Sequence, residues 1–299
     1  MKNTATRTDT PLLTRQQKRS LTLAAVYTVL GAAAVVILIP FVYLIFASIR
    51  ATGETGLFLP AGDGAFGVNW DSGFTLGHYG RLFTQDDINF ADAVINSFFL
   101  SSVTALAATL CAAMGGYALA KFRFAGRELF TNIVLGSLVI PGALLIAPAY
   151  QVLYWLGLLD SYAGIIIPAA APAFGIYLFR QASLAGIPDE ILESARIDGC
   201  GELRMFFTMA VPLIRPMIGA FLLITFLATW NNFIGPQIVL QTPEKLPLAV
   251  AISNLKGIYS TEYGMLMAGT LVSIAPVLIL FLMLQKEFIA GLTSGAVKG

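Results

Sequence analysis

Six long apolar segments constrain this chain more than any other feature of its sequence. They cover residues 21–46, 94–120, 129–150, 162–179, 213–235 and 263–284. A helix needs about 20 mostly apolar residues to cross a bilayer, where it satisfies its own backbone hydrogen bonds. The first segment is longer than the apolar core of a signal peptide, which has about 7–15 residues. The sequence therefore predicts an all-α, polytopic membrane protein with six transmembrane helices, the first of them uncleaved.

The polar segments between these helices divide the chain into regions. They are a basic tail (1–20), the first transmembrane helix (21–49), a long polar loop (50–93), a core of five transmembrane helices (94–286) and a short tail (287–299). The core contains a strongly charged loop at residues 182–212. Small residues in the second segment, such as Gly115 and Gly116, would let neighbouring helices pack closely.

The distribution of lysine and arginine predicts the orientation of the six helices. Six crossings leave both termini on one side, together with the charged loop. That side holds fourteen of the eighteen lysines and arginines, and the other side holds only Arg50, Arg81, Lys245 and Lys256. Cytoplasmic segments carry the excess of positive charge. We therefore expect both termini and residues 182–212 to be cytoplasmic, and residues 50–93 to be extracellular.

The charged loop contains a short helix with recognisable ends. Pro188 suits the first helical position, and Asp189 and Glu190 place negative charge where the helix dipole favours it. Gly199 fits a left-handed cap at the other end. The predicted helix is about 11 residues, or about 16 Å, long. Its apolar positions, which we expect to give a partner contact area, are Ile191, Leu192 and Ala195.

The same loop carries a pattern that resembles a known family. Glu193-Ser194-Ala195, three residues, Gly199, nine residues and Met209-Ala210-Val211-Pro212 follow the spacing of the "EAA" loop of ABC-importer permeases. The departures from the family pattern, at Ser194, Met209 and Val211, are small or apolar and leave the spacing intact. The sequences Ile197-Asp198-Gly199 and Trp230-Asn231-Asn232 and the C-terminal residues are similar to the second permease subunit of maltose-type carbohydrate importers. The resemblance covers residues 96–299.

This resemblance implies the type I ABC importer permease fold and ATP-driven uptake by alternating access. The implied partners are a second permease subunit, two ATPase subunits and an extracellular solute-binding protein that delivers a sugar or oligosaccharide. The implied location is the cell membrane of a prokaryote. The residues implied to couple the chain to the ATPase are Glu193, Ser194, Ala195, Asp198, Gly199 and Pro212.

Several residue patterns that other classes of transporter and enzyme need are missing from this sequence. Apart from Arg215 at the edge of the fifth segment, the six segments contain no ionisable side chain of Asp, Glu, Lys, Arg or His. Ion-coupled carriers usually need such groups at depth, so the sequence argues against that class and suggests a neutral solute. The chain has no G-x-x-x-x-G-K-[ST] phosphate-binding loop, so another chain would hydrolyse ATP. No catalytic or metal-ligand spacing is present, and we expect no enzyme activity, metal or cofactor.

Polar residues in and beside the fifth segment are candidates for the translocation path. They are Thr225, Thr229, Asn231 and Asn232, and Trp230 lies among them. Trp230 is 18 residues beyond Pro212, or about 27 Å along a helix, where tryptophan commonly anchors a helix at the interface. Anchoring or helix packing is therefore favoured for Trp230. Each threonine hydroxyl either lines the path or bonds the backbone one turn back.

Several alternatives stay open on the sequence alone. The same machine could carry another polar solute, such as glycerol phosphate or a polyamine. An ion-coupled secondary carrier and a structural membrane subunit without a transport role are the rivals from other classes. His78, the only histidine, is predicted to be a solvated loop residue, and Cys111 and Cys200 are predicted to be free thiols because they lie in separate segments.

Overall fold

The structure is a computed structural model that describes residues 15–50, 73–84, 89–255 and 263–294. The described residues contain no β-strand, although an isolated bridge pairs Arg50 with Phe74, and the predicted all-α class is confirmed. The α-helices in order are α1 (Arg15–Ser48), α2 (Gly77–Thr84), α3 (Phe90–Lys121), α4 (Arg127–Ser137), α5 (Ile146–Trp155), α6 (Ala163–Ala169), α7 (Ala173–Gly186), α8 (Asp189–Ile197), α9 (Glu202–Met205), α10 (Val211–Leu213), α11 (Arg215–Trp230), α12 (Ile234–Val239), α13 (Leu248–Asn254) and α14 (Tyr263–Ser294). Most of the predicted N-terminal tail and of the loop at residues 50–93 lies outside the described residues.

Four segments of the described chain are long and apolar enough to cross a membrane as they stand. They are Arg19–Ser48, Phe90–Lys121, Ala163–Gly186 and Tyr263–Met283, which match the predicted first, second, fourth and sixth transmembrane helices. The fourth continues past its predicted end at residue 179 and takes in Arg180. The prediction that this helix carries no ionisable group is therefore wrong. The last helix also continues beyond its apolar part, to Ser294.

The third and fifth predicted transmembrane helices are not single straight helices. The third is formed by Arg127–Ser137 and Gly142–Trp155, which are bent by 99° relative to each other, and the fifth by Glu202–Leu213 and Arg215–Trp230, bent by 85°. Pro141 has an extended backbone, with ψ 124°, and so it cannot continue α4. The fifth also ends at Trp230 rather than at residue 235. Six crossings result when each bent pair counts as one.

Helix α3 is central, and small residues set how closely its neighbours approach. It packs along α7 and α11. A Cβ atom on Gly116 would lie 2.6 Å from both the Arg180 backbone nitrogen and the Phe179 Cβ, so only glycine allows this crossing. Gly175 of α7 is in turn covered by the Phe221 ring of α11. The predicted close packing around the second transmembrane helix is confirmed.

Two groups of buried residues mark the two ends of α3, which are about 48 Å apart for its 32 residues. The end at Lys121 is named the α8 end, and its buried cluster includes Tyr117, Phe179, Ile187, Leu192, Ala195, Met205, Phe206 and Ile214. The end at Phe90 is named the α2 end, and its cluster includes Leu82, Phe90, Phe226, Trp230, Leu248 and Met265.

His78 lies in α2 and is buried, so the prediction of a solvated loop residue is wrong. Its side chain is 2% exposed and its imidazole packs directly against Gly264 of α14. Arg81 Nη2 lies 3.0 Å from His78 Nδ1 and can only donate, so Nε2 carries the proton and donates to the Arg50 carbonyl at 2.7 Å. His78 therefore has a structural role, joining α2 to the end of α1 and to α14.

Candidate functional site

Helix α8 begins directly after a proline. Pro188 is extended, with φ −65° and ψ 137°, and precedes the helix instead of occupying its first position. The helix is nine residues long, shorter than predicted. Asp189 and Glu190 do lie in its first turn, where the helix dipole stabilises their negative charge.

The end of α8 is a glycine cap of the Schellman type. Gly199 has φ 77°, which confirms the predicted left-handed conformation. The Cys200 N–H donates to the Ala195 carbonyl at 2.9 Å, and the Gly199 N–H to the Arg196 carbonyl at 3.0 Å. A Cβ atom at Gly199 would find nothing within 4 Å. Glycine is therefore favoured here by backbone conformation and not by lack of space.

The apolar stripe of α8 faces the protein itself. Leu192 and Ala195 are 1% and 3% exposed and belong to the cluster at the α8 end. Ile191 and Ile197 point away from it, at 40% and 87% exposure. The expectation that Leu192 and Ala195 offer contact area to a partner is wrong, because an amphipathic pattern does not distinguish a chain's own core from a partner. Ile191 and Ile197 are the apolar side chains left for such a contact.

The polar face of α8 presents Glu193 to solvent. Glu193 is exposed, and among the described residues it makes no hydrogen bond or ion pair. It lines a cleft of about 850 Å³ between the α3–α4 turn and α8, together with Lys121 and Leu192. Ser194 beside it is exposed and turns its hydroxyl back to the Ile191 carbonyl at 3.0 Å. Glu193, like Glu190 one turn earlier, is thus an exposed carboxylate without a hydrogen-bond partner within the described chain.

Two ion pairs shape the loop around α8. Lys121 Nζ, at the end of α3, donates to Asp189 Oδ1 at 2.6 Å, and this hydrogen bond and the lysine charge lower the pKa of the Asp189 carboxyl below its usual range. Arg196 of α8 donates to both carboxylate oxygens of Glu202 in α9, at 2.8 and 3.4 Å. The hydrogen bonds that Arg196 donates to Glu202 raise the pKa of the Arg196 guanidinium.

The remaining predicted coupling residues lie at the helix end and at the next bend. Asp198 caps α8, and its N–H donates to the Ser194 carbonyl at 3.1 Å. Pro212 lies in α10, after the π-helix Phe206–Ala210 and before the 85° bend into α11. The structure therefore gathers residues 193–199 on one helix and its cap, and places Pro212 at a separate corner of the loop.

The candidate path residues at the end of α11 use their polar groups within the chain. The Thr229 hydroxyl donates to the Thr225 carbonyl at 3.0 Å, and Asn231 Nδ2 to the Leu227 carbonyl at 2.9 Å. Asn232 Oδ1 accepts from the Gly235 N–H at 3.2 Å. Trp230 is 4% exposed, stacks on Phe226 and donates to the Ser273 carbonyl at 3.2 Å. Packing thus accounts for Trp230, and a role of the other four in the path stays a prediction.

Sequence reasoning missed two residues that hold the ends of the bundle. The sequence indicates only that Lys121 is a positive charge beside an apolar segment, although it bonds residues 66 and 68 positions away. Asp160 is bonded to Gln241, Thr242 and Lys245 near the α2 end. Its positive φ of 51° is the local feature that aspartate tolerates better than most residues, but the sequence gives no sign of its distant partners.

Comparison with known proteins extends this description. Residues 109–286 match the family described as "Binding-protein-dependent transport system inner membrane component". The chain is 36% identical over 266 residues to the arabinooligosaccharides transport system permease protein AraQ of Halalkalibacterium halodurans, covering 87% of this chain and 91% of that protein. It is 32% identical to the lactose transport system permease protein LacG of Rhizobium radiobacter, covering 91% and 95%. The sn-glycerol-3-phosphate transport system permease protein UgpE of Pectobacterium atrosepticum is 31% identical over 67% of the chain and 71% of its own length.

Solved structures agree with these relatives. A crystal structure of a bacterial ABC transporter involved in the import of the acidic polysaccharide alginate superposes with a TM-score of 0.76, at 26% identity, over 93% of this chain and 100% of that one. A second, of the alginate transporter with a pentasaccharide-bound periplasmic protein, has a TM-score of 0.62 at 19% identity over 90% and 94%, and shows the fold alone. The family match and the similarity to AraQ exclude an ion-coupled secondary carrier. The chain belongs to the family of binding-protein-dependent transport system inner membrane components, as a multi-pass plasma-membrane permease subunit of an ABC importer whose ATP is hydrolysed by a separate chain.

Proposed function

We propose that this permease imports an oligosaccharide delivered by an extracellular solute-binding protein, together with a second permease subunit and two ATPase subunits. The relatives named for arabinooligosaccharides and lactose, each similar over most of the chain, support a carbohydrate. The structural neighbour imports an acidic polysaccharide. Because Arg180 lies inside a candidate transmembrane helix, the sequence argument for a neutral solute no longer holds, and acidic sugars belong in the test.

The substrate is tested on the reconstituted complex. Calorimetry on the binding protein, followed by uptake into proteoliposomes, would compare arabinooligosaccharides, lactose, uronic-acid oligosaccharides and sn-glycerol 3-phosphate. We expect an oligosaccharide to be bound and taken up, with ATP required and the proton gradient dispensable. Selective uptake of sn-glycerol 3-phosphate would favour the second candidate, which the relative UgpE supports.

We further propose that α8 is the element through which the ATPase drives alternating access. When ATP closes the ATPase pair, α8 would move with it and the cavity would turn outward to accept solute. The observation that carries this assignment is the Glu193 carboxylate, which is exposed, lines the cleft and has no hydrogen-bond partner in the described chain. A charge-assisted hydrogen bond from the ATPase to Glu193 would contribute about 1.5–3 kcal/mol and fix direction as well as contact. Ile191 and Ile197 add apolar area, and the Gly199 cap sets where the helix stops.

Two substitutions test the role of α8. Glu193→Ala should leave the subunit folded and inserted, weaken co-purification of the ATPase and sharply reduce uptake. Gly199→Val should act similarly, because a β-branched residue disfavours the left-handed cap. Glu128→Ala, at an exposed glutamate in the first turn of α4, is the control and should do neither. Wild-type co-purification and stimulated ATP hydrolysis in both α8 variants would exclude α8 as the coupling element.

We also propose that both termini and the α8 loop are cytoplasmic. The support is the concentration of lysine and arginine in those segments. Cys200 is a free thiol beside the Gly199 cap, so it reports on this side without a new substitution. In intact cells it should react with a membrane-permeant maleimide and resist an impermeant one, whereas a cysteine introduced at Asp71 should react with both. Labelling of Cys200 by the impermeant reagent would reverse the orientation.

A further inference from the structure

The junction between α7 and α8 is fastened to α3 by one side chain. Lys121 is the last residue of α3, and its Nζ donates to the Ile187 carbonyl at 2.7 Å and to Asp189 Oδ1 at 2.6 Å. Ile187 is the residue directly after α7, and Asp189 begins α8. Pro188, between them, is extended and has no N–H. The ammonium group of Lys121, which belongs to α3, therefore bonds both the backbone after α7 and the first residue of α8.

The burial of Lys121 shows that this contact is part of the folded core. Its side chain is only 6% exposed, whereas that of Asp189 is 72% exposed. A buried ammonium is strongly unfavourable unless it is paired and hydrogen-bonded. Here the Asp189 carboxylate and the carbonyl of the buried Ile187 supply both requirements. Lys121 is thus held on one side by the core and bonded on the other to the segment that leads into α8.

The second ion pair of the loop provides a contrast. Arg196 and Glu202 are six residues apart and are 40% and 45% exposed. They shape the loop itself but do not connect it to α3. Exposed pairs of this kind contribute about 0–1 kcal/mol. Among the described ion pairs of this loop, only that of Lys121 reaches a long transmembrane helix.

We propose that Lys121 is a positioning residue for energy coupling, which fixes the α7–α8 junction to α3 so that displacement of α8 moves α3. The proposal rests on the coupling role of α8 proposed above. Helix α3 packs along α7 and α11, so its displacement reaches the centre of the bundle. Lys121 lines the same cleft as Glu193, and its near-complete burial means that it acts through the junction rather than by contact with the ATPase.

The test separates docking from transmission in the reconstituted importer. Lys121→Met keeps most of the apolar stem and removes the charge and the donors. We expect ATPase co-purification to remain, while solute transported per ATP hydrolysed falls about tenfold, within the usual range of coupling between sites. Lys121→Arg, which retains donors, should recover most of that ratio. Glu202→Gln, which weakens only the exposed pair, is the control and should leave the ratio unchanged.

Asp189→Asn keeps the inference testable if Lys121→Met does not assemble. Asp189 is mostly exposed, so the variant should fold. It loses the charge but keeps an oxygen acceptor, and the ratio should fall about fivefold, at the lower end of such couplings. A wild-type ratio in Asp189→Asn, or in an assembled Lys121→Met, would overturn the inference. If Glu193→Ala still impaired co-purification in that case, the coupling role of α8 would stand without it.

Discussion

Each end of the bundle is held by one lysine–aspartate pair, but the two partners exchange roles between the ends. At the α8 end the lysine makes several hydrogen bonds, since Lys121 donates to both Ile187 and Asp189. Near the α2 end it is the aspartate that makes several. Asp160 Oδ1 accepts from the N–H groups of Gln241 and Thr242, and Oδ2 from the Thr242 hydroxyl and Lys245 Nζ.

The two ion pairs differ in how firmly their hydrogen bonds are held by the backbone. A carboxylate that accepts from successive backbone N–H groups is fixed by the backbone itself, and Asp160 is also held at φ 51°. Neighbouring bonds from Asn96 to the carbonyls of Glu244 and Leu246 tie the same segment to α3. A lysine bonds instead through a flexible four-carbon stem. The α2 end is therefore fixed directly by backbone groups, whereas at the α8 end a single side chain joins the α7–α8 junction to α3.

Gly116→Ala is expected to have the largest effect, because it disturbs the crossing of α3 and α7 between the two ends. The new Cβ would lie 2.6 Å from the Arg180 backbone nitrogen, which side-chain movement cannot relieve. We expect a loss of about 1–3 kcal/mol or more, seen as a lower melting temperature of the purified complex. Gly115→Ala is the matched control, since its Cβ would be 3.6 Å from Ile176 Cγ1. Equal behaviour of the two variants would contradict the crossing described here.

Asp160→Ala and Asp189→Ala compare the ends directly. Asp160→Ala leaves the N–H groups of Gln241 and Thr242 without their acceptor and should clearly lower the melting temperature. Asp189→Ala removes a side chain that is 72% exposed and should affect transport per ATP more than the melting temperature. A larger fall in melting temperature for Asp189→Ala than for Asp160→Ala would contradict the proposal that the α2 end is the more firmly fixed of the two.

The pH dependence of stability sharpens the same contrast. Hydrogen bonds from Thr242, and then from Gln241 and Lys245, hold the pKa of the Asp160 carboxyl well below its usual range. In the unfolded chain the pKa of this carboxyl is about 3.9. Its stabilisation is thus complete above that pH and is lost as the pH falls through the lower folded value. The melting-temperature difference between wild type and Asp160→Asn should stay constant from about pH 5 to 8 and shrink only below about pH 4.

Trp230→Phe should have the smallest effect. It removes the hydrogen bond to Ser273 but retains an aromatic ring on Phe226. We expect a loss of about 1 kcal/mol in stability, with uptake unchanged at a permissive temperature. Loss of uptake in a complex of wild-type stability would instead show that Trp230 contacts the solute.

The sequence predicted those features that depend on local rules. Run length alone located the four long apolar helices, and the conformational preference of glycine located the cap at Gly199. The bends did not follow in the same way, because Pro141 and Pro212 are visible in the sequence but their angles depend on packing. The direction of Leu192 and the partners of Lys121 and Asp160 depend on residues far along the chain, which neither periodicity nor charge counting brings together.

The bend between α4 and α5 has a consequence for the life of this subunit in the cell. It follows α4, whose 11 residues rise about 16 Å, so a segment that enters the membrane at Arg127 reaches this bend near the middle of a bilayer about 30 Å thick. Leu138, Val139 and Ile140 at the bend are 42%, 81% and 49% exposed. Irregular backbone at such depth is tolerated only when protein or an aqueous cavity covers it. A copy synthesised without its partner permease is therefore an incomplete membrane protein, and quality-control proteases should clear it faster than copies that have assembled.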